Sequence, residues 1–358
     1  MIVSVIIPVF NKEHSIERAI LSVVSQNLDE NEFEIIIIDD GSSDGSLAVC
    51  ERYKEKYSNV KVISKCNEGV SSARNLGIKV AQGDYICFLD ADDFLVPGSF
   101  RLLLSDFFSD AFDVIEYSGA TITSESDQNQ SRYSQKAKMI CESSGWNLLQ
   151  KEGSCPFSVW MKWVRRSFIL NNSISFKNLS IAEDVLFNLD LYNANPKIRR
   201  TTVDCYRYVT YSDGNQVSKK RDELFMKKCV DSYMILFDRI SQINRQFSGE
   251  GSSQQCLWPM VNGNLVPFTS RLLCSNVKSS EISDIYKKLL ELNLFPLFNP
   301  NKQAKVCFLI IKNSLLFNFN RFIYSKCFVP YILPNLNRNF NILTILDPEK
   351  KKSNGKQG

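Results

Sequence analysis

The sequence predicts an α/β fold in which a mostly parallel sheet has helices on both faces, followed by a mostly α-helical C-terminal region. Over residues 1–93, four short apolar runs alternate with three segments of helical periodicity. Continuous apolar runs are typical of parallel strands buried on both faces. Strand–helix alternation is typical of a doubly wound sheet. From residue 219 onward, apolar residues recur mainly at helical spacing.

Each element of the first half has its own local signal. Apolar runs ended by polar or turn residues predict strands over residues 2–9, 33–38, 60–63 and 85–89. Apolar residues three and four positions apart predict helices over residues 15–24, 44–57 and 69–81. A dinucleotide-binding dehydrogenase would carry G-x-G-x-x-G after its first strand. This chain has Pro8-Val9-Phe10-Asn11-Lys12 there, which argues against that class.

Composition limits the classes of protein further. The chain has 358 residues, of which 44% are hydrophobic and 23% charged, as in ordinary globular proteins. Its 11 cysteines are scattered without a C-x-x-C pair, and His14 is the single histidine, so we expect reduced thiols and no zinc site. No apolar run is long enough to predict a spanning helix, and we expect no signal peptide. These features predict a cytoplasmic protein.

Charge is unevenly distributed along the chain. Residues 219–358 hold 21 basic and 10 acidic residues, so the C-terminal part is strongly basic and residues 1–218 are net acidic. No acidic residue lies between Glu291 and Asp347. This asymmetry predicts an acidic catalytic part and a basic part that faces something anionic.

Three carboxylates, Asp90, Asp92 and Asp93, follow the fourth predicted strand within four positions. In open parallel sheets, ligands bind at the carboxyl ends of strands. Crowded carboxylates repel one another unless a cation or a proton neutralises them. We therefore predict that this cluster binds a divalent metal, Mn²⁺ or Mg²⁺, which also contacts a substrate phosphate. The alternative is a solvated acidic turn with an Asp helix cap.

Four segments in the first 93 residues form an ordered set, at 3–11 (VSVIIPVFN), 37–44 (IIDDGSSD), 67–75 (NEGVSSARN) and 83–93 (GDYICFLDADD). The first three resemble the nucleotide-binding blocks of family 2 glycosyltransferases, and the fourth resembles their D-x-D segment. The resemblance covers roughly residues 1–100 and continues more weakly to about residue 218. It implies a Rossmann-like GT-A fold and a nucleotide-diphospho-sugar donor, with uridine as the expected base, and it fits bacterial surface-polysaccharide synthesis.

The resemblance assigns roles to individual residues. Those expected to border the nucleotide are Pro8, Phe10, Asn11, Glu13, Asp39, Asp40, Arg74 and Asp92. Asp40, or its neighbour Asp39, would accept a hydrogen bond from the base, and Arg74 would lie near the base and phosphates. The metal would be bound within the cluster of Asp90, Asp92 and Asp93. Turn and cap chemistry is the alternative for the two acids that end the second strand.

A second segment, Glu183-Asp184, resembles the acidic pair that supplies the catalytic base in this family. Displacement at an anomeric carbon needs a base beside the acceptor hydroxyl, and no histidine lies near this segment. The resemblance therefore implies that Asp184 is the general base, with Glu183 beside it, and that the reaction inverts configuration. The alternative is that both are acids in the first turn of a helix.

The predicted organisation has three parts. Residues 1–218 form the glycosyltransferase domain, with a nucleotide-sugar half over 1–100 and an acceptor half over 101–218. Residues 219–340 are helical and basic, and residues 341–358 form a disordered tail. The apolar, basic segment 302–338 predicts peripheral contact with the inner face of the cell membrane; a helix packed on the protein's own core is the alternative.

The expected partners follow from this reading. They are a nucleotide-sugar donor and a glycan or polyprenyl-diphosphate-linked acceptor, with no nucleic acid. The competing hypothesis from another class is a non-catalytic, sugar-nucleotide-binding or membrane-associated subunit with the same fold. The intact acidic cluster and the Glu183-Asp184 pair argue against it.

Overall fold

The computed structural model describes residues 1–109, 111–123, 137–210, 223–247, 257–275, 277–294 and 302–312. The chain divides into two compact units, residues 1–220 with 231–261, and residues 221–230 with 262–358. The predicted boundary at residue 218 stays a prediction. The polar stretch 124–136 and the predicted tail 341–358 lie outside the described residues.

The first four strands are parallel, as their apolar runs predict. They are β1 (Val3–Val9), β2 (Phe33–Asp39), β3 (Val60–Ser64) and β4 (Tyr85–Phe88), joined by α1 (Ile16–Val24), α2 (Ser46–Lys56) and α3 (Val70–Val80). Every residue of β2 and of β4 is buried. Because the strands run in the same direction, their carboxyl ends meet at one edge of the sheet, and the segments after β1, β2 and β4 lie there.

The second half of the first unit makes the sheet mixed. Its strands are β5 (Phe94–Leu95), β6 (Val114–Ile122), β7 (Met139–Ser144), β8 (Lys162–Arg165) and β9 (Lys197–Val209). The strand order is β3-β2-β1-β4-β8-β6-β9-β5, with β7 also paired to β9. β8 runs antiparallel to β4 and to β6, whereas β6 and β9 are parallel. The prediction of a mostly parallel sheet with flanking helices therefore describes the nucleotide half best.

The helices of this second half are short, and α7 is the longest of them. They are α4 (Ser99–Leu102), which continues as one π-helical turn (Leu103–Phe107), α5 (Gly145–Glu152), α6 (Arg166–Asn171) and α7 (Glu183–Asn193). Helix α7 begins at Glu183, as the helical spacing after Asp184 indicates. Under it, the Phe176 and Phe187 rings stack at 4.1 Å, and Phe88 of β4 meets both rings edge-on. This aromatic cluster gives the start of α7 a rigid support.

Four further helices follow along the chain: α8 (Glu223–Gln246), α9 (Trp258–Cys274), α10 (Ser279–Glu291) and α11 (Lys302–Lys312). In the second unit, Tyr286 of α10 and Phe308 of α11 pack with ring centroids 6.2 Å apart. Within the described part of the chain, none of the helices combines the length and the apolar character needed to cross a membrane. The predicted membrane segment is described only over 302–312, and its remainder, 313–338, lies outside the described residues.

Candidate active site

The loop between β1 and α1 is hydrogen-bonded to the loop between β2 and α2 at the carboxyl edge of the sheet. Asn11, with φ of 53°, donates its backbone N–H to Ser42 and accepts from the backbone N–H of Ser43 at 2.8 Å. Glu13 Oε2 accepts from the backbone N–H of Gly45 at 2.7 Å. Asn11 and Glu13, both predicted to border the nucleotide, therefore fix the β1–α1 loop against the β2–α2 loop.

Phe10 is the exposed aromatic residue of this edge. Its side chain is 46% exposed directly after β1, whereas Pro8 sits within β1 opposite Ile38 of β2. A large aromatic ring exposed to solvent offers a stacking surface to a ligand. The sequence prediction for both residues concerns a ligand and stays a prediction.

Asp39 and Asp40 are buried, and their carboxylates accept hydrogen bonds from neighbouring loops. Asp40 accepts from Lys65 Nζ at 2.7 Å and from the backbone N–H groups of Glu68 and Gly69 at 3.1 and 2.7 Å. Asp39 accepts from the backbone N–H of Ser42 and from Ser64. Their predicted contact with the nucleotide base stays a prediction. In the structure both carboxylates stabilise loops by accepting hydrogen bonds, as the alternative of turn chemistry predicts.

The three acids after β4 separate into two environments. Asp92 pairs with Lys12 at 2.6 Å, and Asp90 pairs with Arg74 at 3.0 Å. The side chains of both acids keep partial exposure, 23% and 28%. Mg²⁺ is usually bound through one or two carboxylates together with substrate phosphates and water. Asp90 and Asp92 are therefore the residues that would hold such an ion, which would supply positive charge to a diphosphate.

Asp93 lies in a different environment, and its predicted role as a metal ligand stays a prediction. It is fully buried, accepts from the Tyr206 hydroxyl at 2.7 Å and from the backbone N–H of Val209 at 2.8 Å, and so holds β9. Burial, together with the neighbouring Asp90 and Asp92 carboxylates, raises the pKa of Asp93 well above its usual value. Among the described residues, no three acids, cysteines or histidines converge on one metal position, which is consistent with this inward turn of the third acid.

Arg74 connects the acids of the nucleotide half to those of the acceptor half. Its Nη2 donates to Asp90 Oδ1 at 3.0 Å, and its Nη1 lies 2.5 Å from Asp184 Oδ1 and 3.4 Å from Glu183 Oε1. The guanidinium is buried and stacks over Phe176, 5.2 Å from the ring centroid. The sequence predicts Arg74 near the base and phosphates. The structure places it between the two acidic motifs, which lie more than 90 residues apart in sequence.

Helix α3 also fixes the backbone that leads into α7. Asn75 exchanges two hydrogen bonds with the backbone of Phe176, and Ser71 donates to the carbonyl of Lys177 at 2.8 Å. Ala182, directly before α7, has φ of 64°, a left-handed conformation that is costly for a residue with a Cβ. These contacts and this turn determine where the Asp184 carboxylate lies.

The environment of Asp184 suits a base that works near neutral pH. The pKa of Asp184 is raised to about 6, chiefly by burial and also by the Glu183 carboxylate, although the Arg74 guanidinium acts in the opposite direction. Lys162 of β8 is a second nearby cation, and burial lowers its pKa to about 8. A carboxyl group with this pKa is ionised at pH 7 and remains a stronger base than an exposed aspartate.

Two residues near the site, Lys12 and Tyr206, are not predicted as site residues by any local sequence pattern. Lys12, in the loop after β1, pairs with Asp92. Tyr206 stacks on the buried Trp160 ring with centroids 4.1 Å apart. Both contacts join segments that are far apart in sequence, so no local pattern predicts them.

The family model for glycosyl transferase family 2 matches residues 4–169. Over these residues, a little under half of the chain, the sequence is similar to glycosyl transferase family 2. The match covers β1 to β4, the acidic cluster, Arg74 and β8, and ends within α6. The Glu183-Asp184 pair lies beyond it.

Curated proteins similar to this chain include a cholesterol galactosyltransferase of Borreliella burgdorferi, 30% identical over 235 residues, or 63% of this chain and 64% of that protein. A poly(ribitol-phosphate) beta-glucosyltransferase of Bacillus spizizenii is 31% identical over 222 residues, or 61% of this chain and 34% of that protein. The chain spans less than two thirds of the length of the first curated relatives that it matches, 64%, 61% and 60%.

Solved structures share the fold. S. aureus TarS aligns with a TM-score of 0.58 and 19% identity over 90% of this chain and 54% of TarS. TarS 1–349 in complex with UDP-GlcNAc aligns with a TM-score of 0.55 and 21% identity over 90% of this chain and 92% of that one. At these identities the likeness concerns the fold alone, and it confirms the predicted GT-A architecture with a helical C-terminal region.

Proposed function

We propose that this protein is an inverting glycosyltransferase that moves a sugar from a nucleotide-diphospho-sugar, with UDP as the expected nucleotide, to a glycan or lipid-linked glycan acceptor. One observation carries the proposal. A single buried guanidinium, that of Arg74, hydrogen-bonds Asp90 at the end of β4 and Asp184 at the start of α7. The acidic cluster and the candidate base therefore belong to one site.

In this proposal the donor lies at the carboxyl edge of the sheet, where Phe10 is exposed and Lys12, paired with Asp92, offers a cation to a diphosphate. The donor in the TarS 1–349 complex, UDP-GlcNAc, supports the donor class. The activity named for the B. spizizenii relative, glucosyl transfer to poly(ribitol-phosphate), supports a polymeric acceptor.

Asp184 acts as general base on the acceptor hydroxyl. Its carboxylate takes the proton as the hydroxyl oxygen bonds to the anomeric carbon and the bond to the diphosphate breaks on the opposite face, so configuration inverts. Arg74 holds the carboxylate in place and favours its ionised form. Asp90 and Asp92 would bind a divalent ion, and that ion supplies charge neutralisation to the departing diphosphate.

The proposal is tested with a panel of nucleotide sugars in Mn²⁺, Mg²⁺ or EDTA, with donor binding and donor hydrolysis as the readouts. We expect one donor to be selected, with weaker binding in EDTA. An Asp92→Asn variant should lose most of the metal effect, whereas Asp93→Asn should retain it. No binding of any donor in any condition would contradict the proposal and favour the non-catalytic hypothesis.

A further inference from the structure

Lys162 of β8 is a buried lysine that takes no part in the mechanism proposed above. It is 1% exposed, and its ammonium group donates to the carbonyl of Ser158 at 3.0 Å and to Asn188 Oδ1 at 2.9 Å. Both of these acceptors are neutral. A buried charge is costly unless an opposite charge lies nearby, so the acids that surround Lys162 decide what it does in the fold.

Three residues of α7 form one stripe along the helix, because Asp184, Asn188 and Tyr192 are spaced four positions apart. Lys162 meets this stripe twice. It donates to Asn188, and its ammonium nitrogen lies 5.6 Å from the centroid of the Tyr192 ring. The Asn188 amide in turn donates to the carbonyl of Pro156 at 2.8 Å. Lys162 therefore faces the stripe of α7 that begins with the candidate base.

Negative charge is in excess at the start of α7. The Arg74 guanidinium is shared by three carboxylates, those of Asp90, Glu183 and Asp184. Glu116 of β6, a further carboxylate near Lys162, has a cation of its own, because it pairs with Arg200. The negative charge that remains to be balanced therefore lies on the Asp184 side of Lys162.

The charged and titratable groups around Lys162 and Asp184 come from several elements. They are Arg74 of α3, Asp90 after β4, Glu116 of β6, Cys155 before β8, Glu183 of α7 and Arg200 of β9. The pKa of Lys162 is lowered to about 8, chiefly by burial, so the group is still mostly a cation at pH 7. Burial raises the pKa of Asp184, and the charge of Lys162 acts in the opposite direction.

We propose that Lys162 is a positioning residue for Asp184: its buried ammonium group holds α7 through Asn188 and supplies the second positive charge that keeps the Asp184 carboxylate ionised. The inference rests on the proposed function in one respect, since it takes Asp184 to be the base. Arg74 acts on the carboxylate from α3 through a hydrogen bond, and Lys162 acts from β8 through its charge. Two cations on different elements thus keep the base ready to accept a proton near neutral pH.

The test measures the pKa of Asp184 directly in the full chain, by NMR titration with aspartate labelled with carbon-13 at its side-chain carboxyl. The Asp184 signal is identified by its loss in Asp184→Asn. Lys162→Met keeps the length of the side chain and places an apolar group in a buried position, and it should raise this pKa by about 0.5–1 unit. The shift should be smaller than in Arg74→Met, because Lys162 directs its hydrogen bonds in the described structure to Ser158 and Asn188.

Two further variants separate the charge of Lys162 from its packing. Lys162→Gln keeps a polar group that can hydrogen-bond but removes the charge, so it should raise the pKa of Asp184 as well, and it takes the place of Lys162→Met if that variant does not fold. Lys61→Met removes a cation that pairs with Glu34 in another part of the sheet and should leave the pKa unchanged. An unchanged or lower pKa of Asp184 in Lys162→Gln would overturn the inference, since a lysine with a purely structural role would give that result.

Activity gives a second readout and separates this inference from the proposed function. The acidic limb of the kcat/KM profile should move upward in Lys162→Gln by the same amount as the pKa of Asp184. If no sugar transfer is found but the pKa of Asp184 rises in Lys162→Gln, the proposed function fails and the charge coupling stands. If Asp184→Asn abolishes transfer while Lys162→Gln keeps the acidic limb and the Asp184 pKa of the unmodified chain, the inference about Lys162 fails alone.

Discussion

Replacing Arg74 with methionine removes the cation that Asp90, Glu183 and Asp184 share, while most of the side-chain length is kept. Charged hydrogen bonds contribute about 1.5–3 kcal/mol each, and Arg74 makes a close one to Asp184. Since about 1.4 kcal/mol corresponds to one pKa unit, losing it raises the pKa of Asp184 by about 1–2 units, from about 6 to between about 7 and 8.

The shift has a defined effect on the rate. In the unmodified protein, roughly nine tenths of Asp184 is ionised at pH 7, and in Arg74→Met the ionised fraction falls to between about a half and a tenth. The acidic limb of the kcat/KM profile should therefore move upward by about 1–2 pH units, and the activity lost at pH 7 should return largely by pH 9.

The assay is release of the nucleoside diphosphate, measured from pH 5 to pH 9 with the selected donor and acceptor. Arg74→Lys keeps a charge and should give a smaller shift. Arg101→Met, which removes a surface partner of Glu32, is the matched control and should leave the profile unchanged. If the acidic limb of Arg74→Met lies at the same pH as that of the unmodified protein, or if activity falls equally at every pH, Arg74 does not control the pKa of Asp184.

Three further predictions concern stability. The folded pKa of Asp184 lies above its unfolded value, so the contribution of this carboxyl group to the free energy of unfolding becomes less favourable as pH rises through about 6. At pH 7, Asp184→Asn should therefore raise the free energy of unfolding by up to about 3 kcal/mol, measured as a higher urea midpoint. At pH 4 the variant should show no gain. Tyr206→Phe removes the hydroxyl that Asp93 accepts from and should lower the free energy of unfolding by about 1–3 kcal/mol; an unchanged urea midpoint would argue against it. Gly77→Ala would place a Cβ 2.4 Å from Ile6 Cγ2 and should cost about 1–3 kcal/mol, seen as a lower Tm by calorimetry.

The nucleotide half was predictable because its signals are local. The seven residues of β2 form an almost continuous apolar run that ends in an acid, and the observed parallel strands begin and end within one or two positions of those predicted. Helix α7 begins at Glu183, where the sequence has an acidic pair before an apolar helix. In each case one stretch of chain contains both the periodicity and its boundary.

Other features depend on pairings between distant segments, which local patterns do not contain. The antiparallel pairing of β8 with β4 follows from how the acceptor half folds back. Asp93 resembles its two neighbours in sequence, yet Tyr206 and Val209 of β9 make it a buried structural acid. The position of Arg74 between two motifs depends on α3, β4 and α7 together.

The most direct test of the account measures sugar transfer by Asp184→Asn in a single turnover, with donor binding measured in parallel and Glu183→Gln as the neighbouring control. The account predicts that Asp184→Asn transfers at least about 100-fold more slowly while it binds the donor with an unchanged Kd, and that Glu183→Gln loses much less activity. A transfer rate for Asp184→Asn within a few-fold of the unmodified protein would contradict the assignment of Asp184 as the base.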